Sequence, residues 1–208
     1  MEELYKIIRE TLYVDAYDIQ EKEMKVYMSD KLSRGLEALF FLCSECGGAA
    51  TIIGGDDSFQ CSKCGAKMRI NEYGYLEGSR FKTTREWDNW QMDEIAEYAK
   101  NCKDGELVYR VENYELIDYT GEEKICIDKG AFELYTDRLV IGEHTIKISD
   151  IQGTALHIIN SLLITTLQGK NYCFINNNQL VIGIHMWYAV DALRGVISQN
   201  KSGLRLQN

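Results

Sequence analysis

Cys43-Ser-Glu-Cys46 and Cys61-Ser-Lys-Cys64 form two Cys-x-x-Cys pairs separated by fourteen residues. A two-residue gap lets both thiolates of a pair turn toward one ion, and an intervening hairpin brings the second pair around to complete a tetrahedron. Each pair is followed by glycine, Gly47 and Gly65. Glycine there accepts a positive φ and lets the backbone curl until its amides reach the sulfurs. Four sulfur ligands fill the coordination of zinc and leave no position open for water or substrate, so a structural Zn2+ on Cys43, Cys46, Cys61 and Cys64 is expected. A pair of redox dithiols or an iron site is the alternative. Apparent zinc affinities of roughly 10 to 16 kcal/mol at such sites would supply much of the folding free energy of a small unit.

Little else in the chain points to chemistry. His144, His157 and His185 are the only histidines, and no His-Glu-x-x-His, Gly-x-Ser-x-Gly or phosphate-loop pattern accompanies them. His157 falls in an apolar, strand-like run and His185 at the start of a helical one, so structural roles are expected for both. Cys102, Cys126 and Cys173 are isolated and read as small core residues or exposed thiols. Trp87 and Trp90, with Phe81 upstream, have the spacing of a packing face rather than of a peptide-binding aromatic cluster. Asp56 and Asp57, between the cysteine pairs, read as a hairpin turn. No catalytic residue is assigned.

The elements that must position the cysteines can be read from periodicity. Leu4, Ile7, Ile8 and Leu12 predict an amphipathic helix over residues 2–12, and Asp15 to Ser29 reads as a second helix with a narrow apolar face. From Leu39 the pattern becomes short apolar or alternating runs (LFFLCSECGG, AATIIGG, SFQCSKCG, AKMRIN, YGYLEG) separated by Gly, Asp and Asn, which is the pattern of a small antiparallel β unit. Thr83 and Glu86 make a capping box for a helix from about Thr84 to Lys100, with Trp87, Trp90, Ile95 and Tyr98 on one face. Asn101 to Gly105 reads as a linker. Beyond it, LVYRVENYELIDY, EKICID, AFELYT, RLVIGE, HTIKIS, LHII, SLLITTL and NYCFIN have the spacing of a meandering antiparallel sheet or barrel. A C-terminal helix over about Ile184 to Gln199 carries Met186 or Trp187, Val190, Leu193, Val196 and Ile197 at helical intervals.

With 208 residues, two small units are expected, 1–100 and 105–200. The chain contains no proline and has a net charge of −9, and neither half is basic. That balance argues against nucleic acid, which requires clustered cations, and against anionic membrane surfaces. The opening MEELYKIIRE lacks the apolar core of a signal peptide, and no run is long and apolar enough to span a bilayer. Seven cysteines, an odd number, with no sign of secretion fit a reducing cytoplasm.

The run 35–47, GLEALFFLCSECG, the second knuckle CSKCG at 61–65, NEYGYLE at 71–77 and EWDNWQ at 86–91 resemble the zinc-ribbon extension carried C-terminally by some bacterial lysophosphatidic acid acyltransferases. Leu4 to Gln20 resembles the segment that joins their catalytic domain to that ribbon. Residues 105–200 resemble a pleckstrin-homology-like (PH-like) or GRAM-like domain, carried by FELYTDRLV at 132–140 and ISDI at 148–151. The implied fold class is α+β: a small zinc ribbon with flanking helices, then an antiparallel PH-like β-barrel with a C-terminal helix.

The acyltransferase family uses a histidine and an aspartate separated by four residues. Here the fifth residues after the histidines are Ser149, Leu162 and Val190, so no such pair exists. The resemblance therefore implies a non-catalytic accessory or regulatory module of phospholipid biosynthesis. It would be the C-terminal part of a longer enzyme or a free-standing relative, cytoplasmic and reaching the membrane through a partner. The expected partner is a protein or an acyltransferase catalytic domain. The alternative is a protein-interaction adaptor unrelated to lipid synthesis. The loop IDYTGEEK at 117–124 carries three acids and one lysine, which argues against direct lipid-headgroup binding there.

Overall fold

The computed structural model describes residues 2–157, 161–176 and 183–196. The chain divides into two compact units, residues 1–36 with 43–87, and residues 37–42 with 88–208. Both mix helices with antiparallel strands, so the α+β class holds.

The first unit opens with α1 (Glu2–Leu12) and α2 (Ala16–Glu23). Asp15 caps α2 by accepting from the Tyr17 amide at 2.8 Å, and Met24 ends it in the left-handed region with φ 47°. The expected helix from Asp15 to Ser29 is therefore cut to eight residues. Tyr17 anchors it, its hydroxyl 2.8 Å from Thr84 Oγ1. Four short strands follow in the order of the chain: β1 (Ile52–Ile53), β2 (Phe59–Cys61), β3 (Lys67–Ile70) and β4 (Leu76–Glu77). The predicted small antiparallel β unit is present, although the run Leu39–Leu42 contributes no strand to it. Asp56 and Asp57 lie in the β1–β2 connection as expected, and the buried Ser33 fastens it: its hydroxyl donates to the Asp57 carbonyl and accepts from the Ile70 amide.

The helix α3 spans Thr84–Asn101. Its capping box forms as read: the Glu86 amide donates to Thr83 Oγ1 and Glu86 Oε2 accepts from the Thr83 amide, both at 3.1 Å. Trp87 is fully buried within the first unit, against the rings of Phe59 and Phe81. In the second unit the buried stripe of α3 is Gln91, Ala96 and Ala99, with Ile95 partly covered, whereas Tyr98 is 60% exposed. The predicted aromatic face is thus corrected. Large rings suggested the stripe, but the small Ala96 and Ala99 pack closest. Gln91 is buried because its amide is used at both ends, accepting from Phe41 N at 3.0 Å and donating to Leu39 O at 2.7 Å.

The rest of the second unit is one seven-stranded antiparallel sheet: β5 (Leu107–Asp118), β6 (Ile125–Tyr135), β7 (Arg138–Ile141), β8 (His144–Lys147), β9 (Ile151–Leu156), β10 (Ser161–Thr166) and β11 (Asn171–Asn176). Its order is β8-β7-β6-β5-β11-β10-β9. The edges β8 and β9 are joined by a 3-10 turn, Ile148–Asp150, and not by a ladder, so among the described residues the expected barrel is an open sheet. Two strand readings also change. EKICID and AFELYT are one strand, because the β5 ladder continues through Gly130, paired with Tyr114. The strand expected at LHII lies earlier, at IQGTAL, and residues 158–159 of that reading are outside the described ones.

The final helix, α4 (Gly183–Leu193), packs on β9 and β10. Met186 and Val190 are fully buried as expected, while Ile197 lies outside the described residues. The core joins Tyr114, Leu116, Phe132, Leu134, Leu162, Ile164 and Phe174 of the sheet with Met186 and Val190 of the helix. Asp191, 7% exposed, is compensated by Thr154 Oγ1 at 2.6 Å and the Arg194 guanidinium at 2.8 Å.

His185, on the first turn of α4, is 3% exposed, stacked on Phe41 and hydrogen-bonded through Nε2 to Tyr109. Its Nδ1 is buried without a partner, so the ring is held neutral, and burial drives its pKa down to about 3. Below the ordinary value near 6.5 the unfolded chain takes up a proton that the folded chain refuses, so stability falls with pH at up to about 1.4 kcal/mol per unit. Denaturant unfolding between about pH 6.5 and 5 should show this slope. His185→Leu should flatten it, and an equal slope in the variant would contradict the assignment.

Candidate metal centre

Two turns of the same design present the four cysteines. In the first, the Gly47 amide donates to the Cys43 carbonyl and the Cys43 amide to the Gly48 carbonyl, both at 2.9 Å. In the second, the Gly65 amide donates to the Cys61 carbonyl and the Cys61 amide to the Ala66 carbonyl, again at 2.9 Å. Gly47 and Gly65 have φ of 65° and 77°, and a Cβ at either would meet nothing within 4 Å. Backbone conformation, not space, is therefore what requires glycine at these positions.

The hairpin between the turns supplies the convergence. Cys61 ends β2 and pairs with Ile52 of β1, while Ser62 donates from its amide to the Thr51 carbonyl at 2.8 Å. The result is four sulfurs within 4.8 Å of one another, with Cys43–Cys64 and Cys46–Cys61 separations of 3.8 Å. A disulfide would need about 2.05 Å. A tetrahedron with metal–sulfur bonds of about 2.3 Å has edges of about 3.8 Å. The cluster therefore has the dimensions of a four-thiolate metal site, and the residues singled out by spacing are the ones brought together. Cys43 and Cys61 are buried, Cys46 and Cys64 exposed.

Surrounding groups treat the sulfurs unequally. The Glu45 amide points at Cys43 Sγ from 3.4 Å and the Cys64 amide at Cys61 Sγ from 3.5 Å. Burial pushes the Cys43 thiol up to about 12, against the pull of the Cys46 and Glu45 amides. Burial also opposes ionisation of Cys61, but Thr51 Oγ1, 3.2 Å away, and the Cys64 and Lys63 amides outweigh it and bring that thiol down to about 6. A metal ion must displace protons here, most of all from Cys43, so loading is coupled to proton release. Thr51 is a contributor that spacing alone did not reveal, because it acts across the β1–β2 pairing. Behind the first turn, Ser44 is fully buried, 2.9 Å from Glu45 Oε1 and 3.1 Å from Ser79 Oγ, and Glu45 Oε1 also accepts from the Arg80 amide at 2.8 Å.

The other candidates stay apart from this cluster. His144 is on β8 and pairs with Asp128 at 2.8 Å, and this contact comes first among those holding the carboxylate at about 2. His157 sits exposed just past β9, against the edge of Tyr119, and not inside a strand as its sequence suggested. Cys173 is buried, Cys126 exposed and Cys102 intermediate. Among the described residues no other His, Cys, Asp and Glu side chains form a metal-sized cluster, and no helix is long and apolar enough to cross a membrane.

Gly65→Ala should cost about 1 to 2 kcal/mol, the penalty of a left-handed backbone on an L side chain. Gly65→Asn should cost less, since asparagine tolerates that region. Chemical denaturation of the metal-loaded proteins checks the order. Comparison with protein-family models finds none that matches the chain, and comparison with curated proteins finds no match to it.

Proposed function

We propose that the chain is a non-catalytic accessory module, stapled by one structural zinc ion, that serves a bacterial phospholipid acyltransferase. The observation that carries the structural role is the closed ligand set. Four thiols within 4.8 Å of one another, two pairs of them at 3.8 Å, can fill the shell of one zinc ion, and thiolate softness favours zinc over hard cations. The knuckle turns and the hairpin order β1-β2-β3-β4 support the zinc-ribbon reading. The sheet order of the second unit, with its first strand in the middle, beside its second and its seventh, and a helix C-terminal to the seventh, supports a PH-like or GRAM-like domain over residues 105–200.

The link to acyltransferases rests on the likeness of residues 35–47, 61–65, 71–77 and 86–91 to the ribbon extension of those enzymes. Catalysis would reside in the partner, since no histidine is followed at the required spacing by an aspartate. The module would position the catalytic part or recruit a further protein from the cytoplasm, without binding nucleic acid.

Two measurements test this reading. A chelator strong enough to strip thiolate-bound zinc should unfold the first unit, seen as loss of dispersed amide resonances from residues 43–81, and zinc should restore them. Unchanged spectra on metal removal would contradict the staple. For the function, an acyltransferase reading frame fused to or directly beside this one, together with acyl-CoA:lysophosphatidate acyltransferase activity copurifying with the tagged chain, is expected. Absence of both would favour an adaptor unrelated to lipid synthesis.

A further inference from the structure

The seam left open between β8 and β9 holds a cavity of about 710 Å3, within the roughly 300 to 1,000 Å3 of small-molecule sites. Its polar lining is unusual for a chain of net charge −9: Arg138, Lys147 and Arg194 contribute cations, and Asp137 is the one carboxylate among the lining residues. Thr145 and Ser149 add hydroxyls.

The three cations are held differently. Arg194 is part of the wall, fixed by Asp191 at 2.8 Å, Thr154 Oγ1 at 3.2 Å and the Gln152 carbonyl at 2.7 Å. It follows directly on α4 and offsets the negative end of that helix dipole. Arg138 lies 4.1 Å over the Tyr135 ring and donates from Nη1 to Asp137 at 2.8 Å. The ring and the carboxylate thus hold the guanidinium in place while other N–H groups stay available. Lys147 is exposed at the end of the edge strand β8. It forms no ion pair among the described residues.

We propose that this groove binds a phosphomonoester, carried either by a lipid or by a soluble molecule. A phosphomonoester has a charge of about −1.5 to −2 near pH 7 and three acceptor oxygens, which match Arg138, Lys147 and the two hydroxyls. The guanidinium fork of Arg138 suits the bidentate contact that phosphate offers. The site lies at the far end of β6 from the acidic β5–β6 loop, so the repulsion expected at that loop does not reach it; eleven residues of strand span about 35 Å, several screening lengths at physiological salt. The site stands on the second unit alone and does not require an acyltransferase partner.

The test uses the zinc-loaded 208-residue chain and three probes: inorganic phosphate, phenyl phosphate, and phosphatidylcholine vesicles containing phosphatidic acid. Saturable binding to at least one probe is expected near pH 7.5, weakening toward about pH 5.5 as the phosphate loses its second charge. Binding to phenyl phosphate identifies a soluble source, and binding to the vesicles alone a lipid one. Arg138→Glu with Lys147→Glu should weaken binding by about tenfold or more with an unchanged melting temperature. If that pair alters the fold, Lys147→Gln alone, at an exposed position, should still weaken it measurably. No binding to any probe, or equal binding by a folded variant, would overturn the proposal.

Discussion

The separation of the four sulfurs governs what the first unit can be. Its strands have two to four residues, two of them only two, and hairpins that short are marginal in water on their own. What locks them together is the closure between two turns, one before β1 and one after β2, whose backbones repeat each other bond for bond. The aromatic packing of Phe59, Phe81 and Trp87 and the buried Ser33 and Ser44 contacts add specificity around that closure. A metal held by these four thiolates would take the place of the large apolar core that a unit of this size lacks.

The second unit is stabilised in another way. Long strands bring large apolar side chains from β5, β6, β7, β10 and β11 onto one face, and α4 covers them with Met186, Ala189 and Val190. Polar groups enter only with partners or at a cost. Asp191, Thr154, Trp187 and Arg194 form a satisfied cluster, whereas His185 is kept neutral with one nitrogen unpaired. Among the described residues the sheet stays open at β8 and β9, and residues of both strands line the cationic groove.

Features encoded by local spacing were legible from the sequence. The cysteine pairs, their glycines, the Thr83–Glu86 box and the helix starting at Thr84 needed only near neighbours to be read. Features decided by tertiary context were not. Gly130 looked like a break, but the partner strand carries the ladder through it. IQGTAL has no apolar run of the kind that marks LHII, yet β10 pairs with it. Tyr98 fits the helical period, but the buried stripe of that helix is lined by Ala96 and Ala99. The groove could not be read at all, since its residues lie between 136 and 194 with no common spacing.

The most direct test of the central claim is X-ray absorption at the zinc edge of the purified protein, combined with metal content. The account predicts one zinc per chain in a shell of four sulfurs at about 2.3 Å. A shell in which oxygen replaces one or more of the sulfurs, or a different metal, would contradict a zinc site closed by the four cysteines.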